Sequence, residues 1–239
     1  MKFLQCMLML WVFFFGATNA YSAGYPKPDY RLAPLFMTCY QPGMVALTFD
    51  DGPSANFPQI LDILAANQVT ASFFILGKKL TYDYHVARAV QAVQAGHYIE
   101  NHGWDHTNFM NLTVSQVIEQ VDNTNQIIWD KLGVVPRFVR APHGAIDAKR
   151  AIGIWDLDQG IASWNLDPLD YRSNWTSEQV LGMVRSAIEA GSPETDSFII
   201  DLHDASNIMV EVLDEMIKLI KSNQYAIVSL HECIDRGRQ

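Results

Sequence analysis

The apolar residues of this chain fall into short continuous runs that alternate with longer stretches in which they recur every three or four positions. Short apolar runs between turn residues are typical of buried strands, and the three-to-four spacing is typical of helices. The pattern predicts strands over 45–49, 70–76, 97–100, 138–140, 160–164, 197–202 and 225–230, and helices over 57–67, 82–95, 114–132, 177–190 and 209–222.

Strands that alternate with helices predict an α/β fold in which parallel strands are joined by crossover helices. The length of 239 residues suits one (β/α) barrel, although it is somewhat short for eight units. No internal repeat or low-complexity linker divides the sequence. We therefore expect a single domain over 45–230, with seven or eight parallel strands.

The first 20 residues have the features of a secretory signal peptide. Lys2 precedes an apolar core over 8–15, and Thr18-Asn19-Ala20 offers small residues for cleavage. The apolar run is too short for a confident transmembrane span, and the alternative is an uncleaved anchor. We expect the signal peptide, residues 1–20, to be cleaved after Ala20. The mature protein is then expected to be secreted, either extracellular or held in a cell wall.

The segments on either side of the predicted domain and the net charge of the chain limit the classes of molecule that it is expected to bind. Residues 21–44 are predicted to form an irregular N-terminal arm and residues 231–239 a C-terminal tail. The formal net charge is −9, and loss of the single basic residue of the signal makes it −10. An acidic surface does not favour nucleic acid or anionic membranes and leaves a neutral polymer or small molecule as the easier partner. We expect a monomer with no membrane span after signal removal.

Two cysteines outside the signal predict a disulfide. Cys39 stands before the first core strand and Cys233 after the last, in a compartment expected to be oxidising. Two buried free thiols are the alternative. Asn111 and Asn174 begin Asn-x-Thr sequons, which predict N-glycosylation only if the source is eukaryotic.

Asp50 and Asp51 stand together at the end of the first predicted strand. Adjacent carboxylates repel each other, and a bound divalent cation would hold them ionised. His102 and His106 follow with metal-ligand spacing, and one carboxylate with two histidines suits a catalytic zinc site. The alternatives are a polar turn and two unrelated histidines.

Polar groups follow several predicted strands, and the carboxyl ends of barrel strands share one rim. These groups are Asp50-Asp51, His102 and His106, Arg140 to His143, Asp167 and Asp170, and His203. Convergence at a rim predicts one site.

Five segments occur in the order found in a known family. They are Thr-Phe-Asp-Asp-Gly-Pro (48–53), His-x-x-x-His (102–106), Arg-Ala-Pro-His-Gly (140–144), Asp-Pro-Leu-Asp-Tyr (167–171) and Leu-His-Asp (202–204). The chain resembles the polysaccharide deacetylases, the NodB-homology domain of carbohydrate esterase family 4, and within them the fungal-type chitin deacetylases. The resemblance implies a distorted (β/α) barrel that removes N- or O-acetyl groups from sugar polymers with Zn²⁺, or with Co²⁺ or Mn²⁺.

The resemblance also implies a role for each acidic and basic group. It assigns the metal to Asp51, His102 and His106, and makes Asp50 the base that deprotonates the attacking water. Arg140 would hold the carboxylate of Asp50 ionised and aimed.

His203 resembles the general acid that protonates the departing amine. The family pairs that histidine with an aspartate, for which we favour Asp170 and keep Asp167 as the alternative. The backbone N–H of His143 would help to bind the oxyanion, although the family usually has Tyr at this position.

The remaining positions concern the substrate. Leu202 resembles the residue that lines the acetyl-methyl pocket, and Tyr171 stands where the family usually has Trp. Trp104 and Trp164 are candidates for stacking on sugar rings. We expect deacetylation of chitin or N-acetylglucosamine oligomers. The alternatives are deacetylation of peptidoglycan or acetylxylan, and a weakly active or inactive carbohydrate-binding protein of the cell wall.

Overall fold

Eight parallel strands form one sheet in the computed structural model, which describes residues 35–235. The strands are β1 (Leu35–Phe36), β2 (Met44–Gly52), β3 (Ser72–Ile75), β4 (Tyr98–Asn101), β5 (Phe138–Val139), β6 (Gly160–Ala162), β7 (Phe198–His203) and β8 (Ala226–Val228). Their order is β1-β6-β5-β4-β3-β2-β7, and β8 pairs with the start of β2. The predicted parallel α/β architecture is confirmed.

Seven α-helices connect and flank these strands in the described part of the chain. They are α1 (Phe57–Ala66), α2 (Asp83–Gln94), α3 (Val114–Leu132), α4 (Ala148–Trp155), α5 (Ser177–Ala190), α6 (Asn207–Ser222) and α7 (Leu230–Ile234). Five were predicted, whereas α4 and α7 were missed because eight and five residues give a weak periodic signal. The prediction of an irregular arm was also incomplete, since β1 lies within it and pairs with β6.

The barrel is closed by a weak seam between β6 and β7. No strand pairing joins them in the described residues, and the link is one isolated bridge between Leu166 and Ile200. The Asp201 N–H donates to the Leu166 carbonyl at 2.9 Å. This irregular closure makes the barrel distorted, as the resemblance implied.

The alternation of side chains along β2 explains where the site can form. Val45, Leu47 and Phe49 pack in the main apolar core, where the Phe49 ring stacks on Phe73 with centroids 5.1 Å apart. The intervening residues of a strand point to the opposite face. Thr48 and Asp50 occupy those positions and are buried. Polar groups are therefore concentrated inside the barrel near the carboxyl ends of its strands.

A disulfide between Cys39 and Cys233 ties the segment before β2 to α7. The Tyr40 N–H also donates to the Cys233 carbonyl at 2.7 Å. The predicted signal over 1–20, most of the arm and the last four residues lie outside the described residues. Within residues 35–235, no helix combines the length and hydrophobicity needed to cross a bilayer.

Candidate active site

The two adjacent aspartates lie at an irregular end of β2. Asp51 has a φ of +67°, and the register with β3 shifts between Asp50 and Gly52. Simple alternation along a strand would point the two carboxylates to opposite faces of β2. The bulge brings both to one imidazole, because Asp50 Oδ2 and Asp51 Oδ1 are each 3.5 Å from His102 Nε2.

Asp51, His102 and His106 form a cluster with the donor atoms of a metal site. One ligand atom from each lies within 4.8 Å of the others, and His106 Nε2 is 3.3 Å from Asp51 Oδ1. Among the described residues, Asp51 Oδ1 is buried without a hydrogen-bond partner. A buried carboxylate oxygen beside two imidazole nitrogens is well satisfied by a divalent cation. The residues present therefore fit a metal ion.

The protonation of this cluster also suits a cation. Burial alone would raise the pKa of Asp51, but the neighbouring imidazoles of His102, His106 and His203 hold it well below its usual range. Burial lowers the pKa of His106, although Asp51 acts in the opposite direction. An ionised carboxylate and a neutral imidazole are the forms that bind metals.

Local contacts orient the His102 ring. Its Nδ1 lies 2.9 Å from the Arg140 carbonyl, which can only accept, so Nδ1 carries the proton and the Nε2 lone pair is free. Gly103 follows with a φ of +75°, and its N–H donates to Asn101 Oδ1 at 2.7 Å. That φ favours glycine at position 103.

Arg140 is fully buried and lies between two carboxylates. Its Nη1 donates to Asp50 Oδ1 at 2.8 Å, to Asp201 Oδ1 at 3.0 Å and to Thr48 Oγ1 at 2.8 Å. Its other nitrogens donate to backbone carbonyls at the end of β6. One oxygen of Asp50 therefore accepts from Arg140 Nη1, which also donates to Asp201 and Thr48. The other oxygen of Asp50 faces His102.

Asp201 is a member of the site that the sequence analysis missed. Burial and the charge of Asp50 raise its pKa well above the usual range, while Arg140 lowers it. A signal was present, because one acid interrupts the apolar run 198–202 two positions before His203. Alternation places residues 201 and 203 on the same face of β7.

The structure brings His203 together with Asp170 rather than Asp167. His203 Nδ1 is 2.9 Å from Asp170 Oδ1, and the His203 N–H donates to Asp170 Oδ2 at 3.0 Å. Burial lowers the pKa of His203, but the Asp170 hydrogen bond and the charges of Asp201, Asp170 and Asp50 raise it to about 10. The Asp167 carboxylate instead accepts from the Leu169 N–H at 2.8 Å.

His143 adopts a left-handed conformation in the turn after β5, with a φ of +63°. Its N–H donates no hydrogen bond to any described residue. Its exposed imidazole lies edge-on to His106, with ring centroids 4.4 Å apart. The backbone donor expected at this position is therefore free, next to the metal cluster.

Comparison with known proteins identifies the family. The sequence profile described as Polysaccharide deacetylase matches residues 38–153. A chitin deacetylase of Colletotrichum lindemuthianum is 30% identical over 224 residues, which cover 92% of this chain and 90% of the relative. The chain belongs to the polysaccharide deacetylase family. The solved structure of the Colletotrichum lindemuthianum chitin deacetylase is similar to this chain, with a TM-score of 0.81 and 28% identity, and the match covers 87% of this chain and 94% of that chain.

A bacterial relative shares the same domain within a longer protein. The peptidoglycan-N-acetylglucosamine deacetylase PgdA of Listeria monocytogenes is 30% identical over 189 residues, covering 79% of this chain. The match spans only 38% of PgdA. The chain therefore corresponds to about two fifths of that relative.

The residues predicted to line the substrate pocket lie in different settings. Leu202 is fully buried, and Tyr171 is half-exposed with its ring centroid 4.9 Å from that of His203. Trp104 is half-buried and packs over Gly77, where an added Cβ would lie 2.7 Å from the indole. Trp104 also lines a cavity of about 260 Å³ beside α3. Contact between Trp104 and a sugar ring stays a prediction.

The two sequons have a structural explanation. Asn111 and Asn174 are exposed, immediately before α3 and α5. The threonine of each sequon is the N-cap of the helix that follows. The Thr113 hydroxyl accepts a hydrogen bond from the Gln116 N–H, and the Thr176 hydroxyl accepts one from the Gln179 N–H. Because Thr is favoured at a helix N-cap, the motif can recur without glycosylation, which stays a prediction.

Proposed function

We propose that this chain is a secreted, metal-dependent hydrolase that removes N-acetyl groups from chitin or chitooligosaccharides. The products are glucosamine units and acetate. The observation that carries the proposal is the convergence of a buried Asp50–Arg140 pair and a His203–Asp170 pair on the Asp51, His102 and His106 cluster. The chitin deacetylase that matches 92% of the chain supports the choice of substrate.

Asp51, His102 and His106 would hold Zn²⁺, with Co²⁺ or Mn²⁺ as alternatives. Such an ion, when bound, lowers the pKa of water and polarises a carbonyl oxygen. The charge of the site agrees with this occupant, because the carboxylates of Asp50, Asp51 and Asp170 outnumber the cations Arg140 and His203.

Asp50 acts as the base. Arg140 holds its Oδ1 at 2.8 Å and leaves Oδ2 directed to the metal cluster. Oδ2 takes a proton from the water that attacks the acetamide carbon. The position of the carboxylate is fixed because the guanidinium itself makes four hydrogen bonds to other oxygens and packs over the Phe74 ring.

His203 acts as the acid. Its Nδ1 proton is committed to Asp170 at 2.9 Å, so its Nε2 proton is the one available to the leaving nitrogen. The C–N bond breaks as that nitrogen takes the proton, and the acetyl carbon leaves as acetate. The raised pKa of about 10 keeps the imidazole protonated until the transfer.

The His143 N–H donates to the oxygen that becomes negative when water adds to the carbonyl. A backbone donor does not depend on the side chain, so His in place of the usual Tyr leaves it intact. Leu202 lines the acetyl-methyl pocket, and Tyr171, beside His203, contacts the sugar.

The first test is acetate release from chitin pentamer by the purified mature domain with Zn²⁺. We expect release that EDTA abolishes and that Asp50→Asn lowers by at least about 100-fold. Asp62→Asn, on the exposed face of α1, is the matched control and should retain full activity. Folded, zinc-loaded protein that releases no acetate would contradict the proposed function.

Peptidoglycan is the second candidate substrate, because PgdA matches the same domain. The same assay on peptidoglycan and acetylxylan distinguishes the polymers. A free amine product separates N-deacetylation from ester hydrolysis. Polymer binding without turnover on all three would favour the non-catalytic wall protein that the departures at His143 and Tyr171 suggest.

A further inference from the structure

Asp204 joins the two loops that carry the metal cluster and the acid. It follows His203 directly and is fully buried. Its Oδ2 accepts a hydrogen bond from the Ser54 N–H at 2.8 Å, and its own carbonyl accepts from Ser54 Oγ at 2.7 Å. Two hydrogen bonds therefore connect the segment after β2, where Asp51 lies, with the segment after β7.

The contact continues on both sides of Asp204. Asn56 Nδ2 donates to the Ala205 carbonyl at 3.3 Å and to Asn207 Oδ1 at 3.0 Å. At Gly52 an added Cβ would lie 2.6 Å from Asp204 Oδ2. The two loops are thus in such close contact that position 52 has no room for a side chain.

The second loop is in turn fixed to the partner of His203. The His203 N–H donates to Asp170 Oδ2 at 3.0 Å, and Ser206 Oγ donates to the Asp170 carbonyl at 2.8 Å. Hydrogen bonds therefore join Asp204 to the turn after Asp51, and its chain neighbours His203 and Ser206 to Asp170.

We propose that Asp204 is a positioning residue that fixes the metal ligand Asp51 relative to the acid His203. Asp51 is held at a φ of +67°, a left-handed conformation that an L-residue keeps only where its surroundings hold it. Asp204 supplies that restraint through its two hydrogen bonds with Ser54, two residues beyond Gly52. The inference rests on the proposed function for the roles of Asp51 and His203.

The test measures zinc affinity together with kcat and KM. We expect Asp204→Ala to weaken Zn²⁺ binding by about 10-fold or more and to lower kcat more than it raises KM. Asp204→Asn keeps an oxygen for the Ser54 N–H. Since Asp204 Oδ1 has no hydrogen-bond partner among the described residues, an amide nitrogen there breaks no bond. Asp204→Asn should therefore bind zinc within about threefold of the wild type.

Gly52→Ala provides an independent variant. Its Cβ would displace the Asp204 carboxylate, so zinc affinity should fall in the single variant. The double variant Gly52→Ala/Asp204→Ala lacks the carboxylate with which the new Cβ would clash. Its zinc affinity should therefore be close to that of Asp204→Ala alone. Additive losses in this cycle would overturn the inference.

Val212→Ala is the control for a purely structural effect. Val212 is buried in α6 and belongs to the main core, so its truncation should lower Tm without weakening zinc binding. Folded Asp204→Ala with wild-type zinc affinity and kcat would overturn the inference, as would an Asp204→Asn variant as impaired as Asp204→Ala. Wild-type protein that binds zinc without releasing acetate would instead contradict the proposed function.

Discussion

The strongest electrostatic prediction concerns His203 and its partner Asp170. Buried surroundings would keep an imidazole neutral, yet the Asp170 hydrogen bond and the nearby carboxylates raise the pKa of His203 from 6.5 to about 10. A rise of this size corresponds to roughly 5 kcal/mol of stabilisation of the protonated folded state. Because the folded pKa is the higher one, this contribution is complete below pH 6.5 and is lost as the pH rises through 10.

Asp170→Asn should remove a large part of this contribution in the zinc-free protein. We expect the free energy of unfolding to fall by about 2–4 kcal/mol at pH 6 and the deficit to narrow by roughly 1–3 kcal/mol by pH 9. Urea unfolding of EDTA-treated wild type and variant at several pH values measures both quantities. The NMR titration of the His203 ring reports its pKa directly.

Asp167→Asn is the matched control, because the Asp167 carboxylate accepts from the Leu169 N–H and the Tyr171 hydroxyl and makes no hydrogen bond with His203. Asp167→Asn should change the pH dependence of the free energy of unfolding by less than half as much as Asp170→Asn does. The reasoning would be refuted by a constant offset between wild type and Asp170→Asn across this pH range. It would be refuted equally by an Asp167→Asn profile that matches that of Asp170→Asn.

Four further predictions test the fold and the metal site. Cys39→Ser should cost up to about 5 kcal/mol in urea unfolding, because the disulfide spans 194 positions, and reduced wild type should show the same loss. Arg140→Met should cost about 3–5 kcal/mol, since it leaves two buried carboxylates without a cation, and wild-type stability would contradict this. Gly144→Ala should lower stability by about 1–2 kcal/mol, because its φ is +63° and a Cβ would meet Trp164 at 2.9 Å; calorimetry measures the loss. Zn²⁺ at 100 times its Kd should stabilise the wild type by about 2.7 kcal/mol and His102→Ala hardly at all, and an equal shift in both would exclude His102 as a ligand.

The order of strands and helices and the position of the chemistry were predictable from the sequence. Apolar runs and helical spacing are local properties, and the carboxyl ends of parallel strands meet at one rim whatever the loops do. Asp51, His102 and His106 were therefore expected together, and the structure places them together. The helices α4 and α7 were not predicted because their short length leaves little periodic signal.

The sequence by itself determined a parallel α/β barrel and the residue types of its site, because periodicity and motif order are written along the chain. Tertiary structure decided which oxygen faces which nitrogen. The bulge at Asp51, the choice of Asp170 over Asp167, and the sharing of Arg140 between Asp50 and Asp201 depend on distances between strands far apart in sequence. Hydrogen bonds and charge interactions change over fractions of an ångström, and only packing in three dimensions fixes distances at that scale.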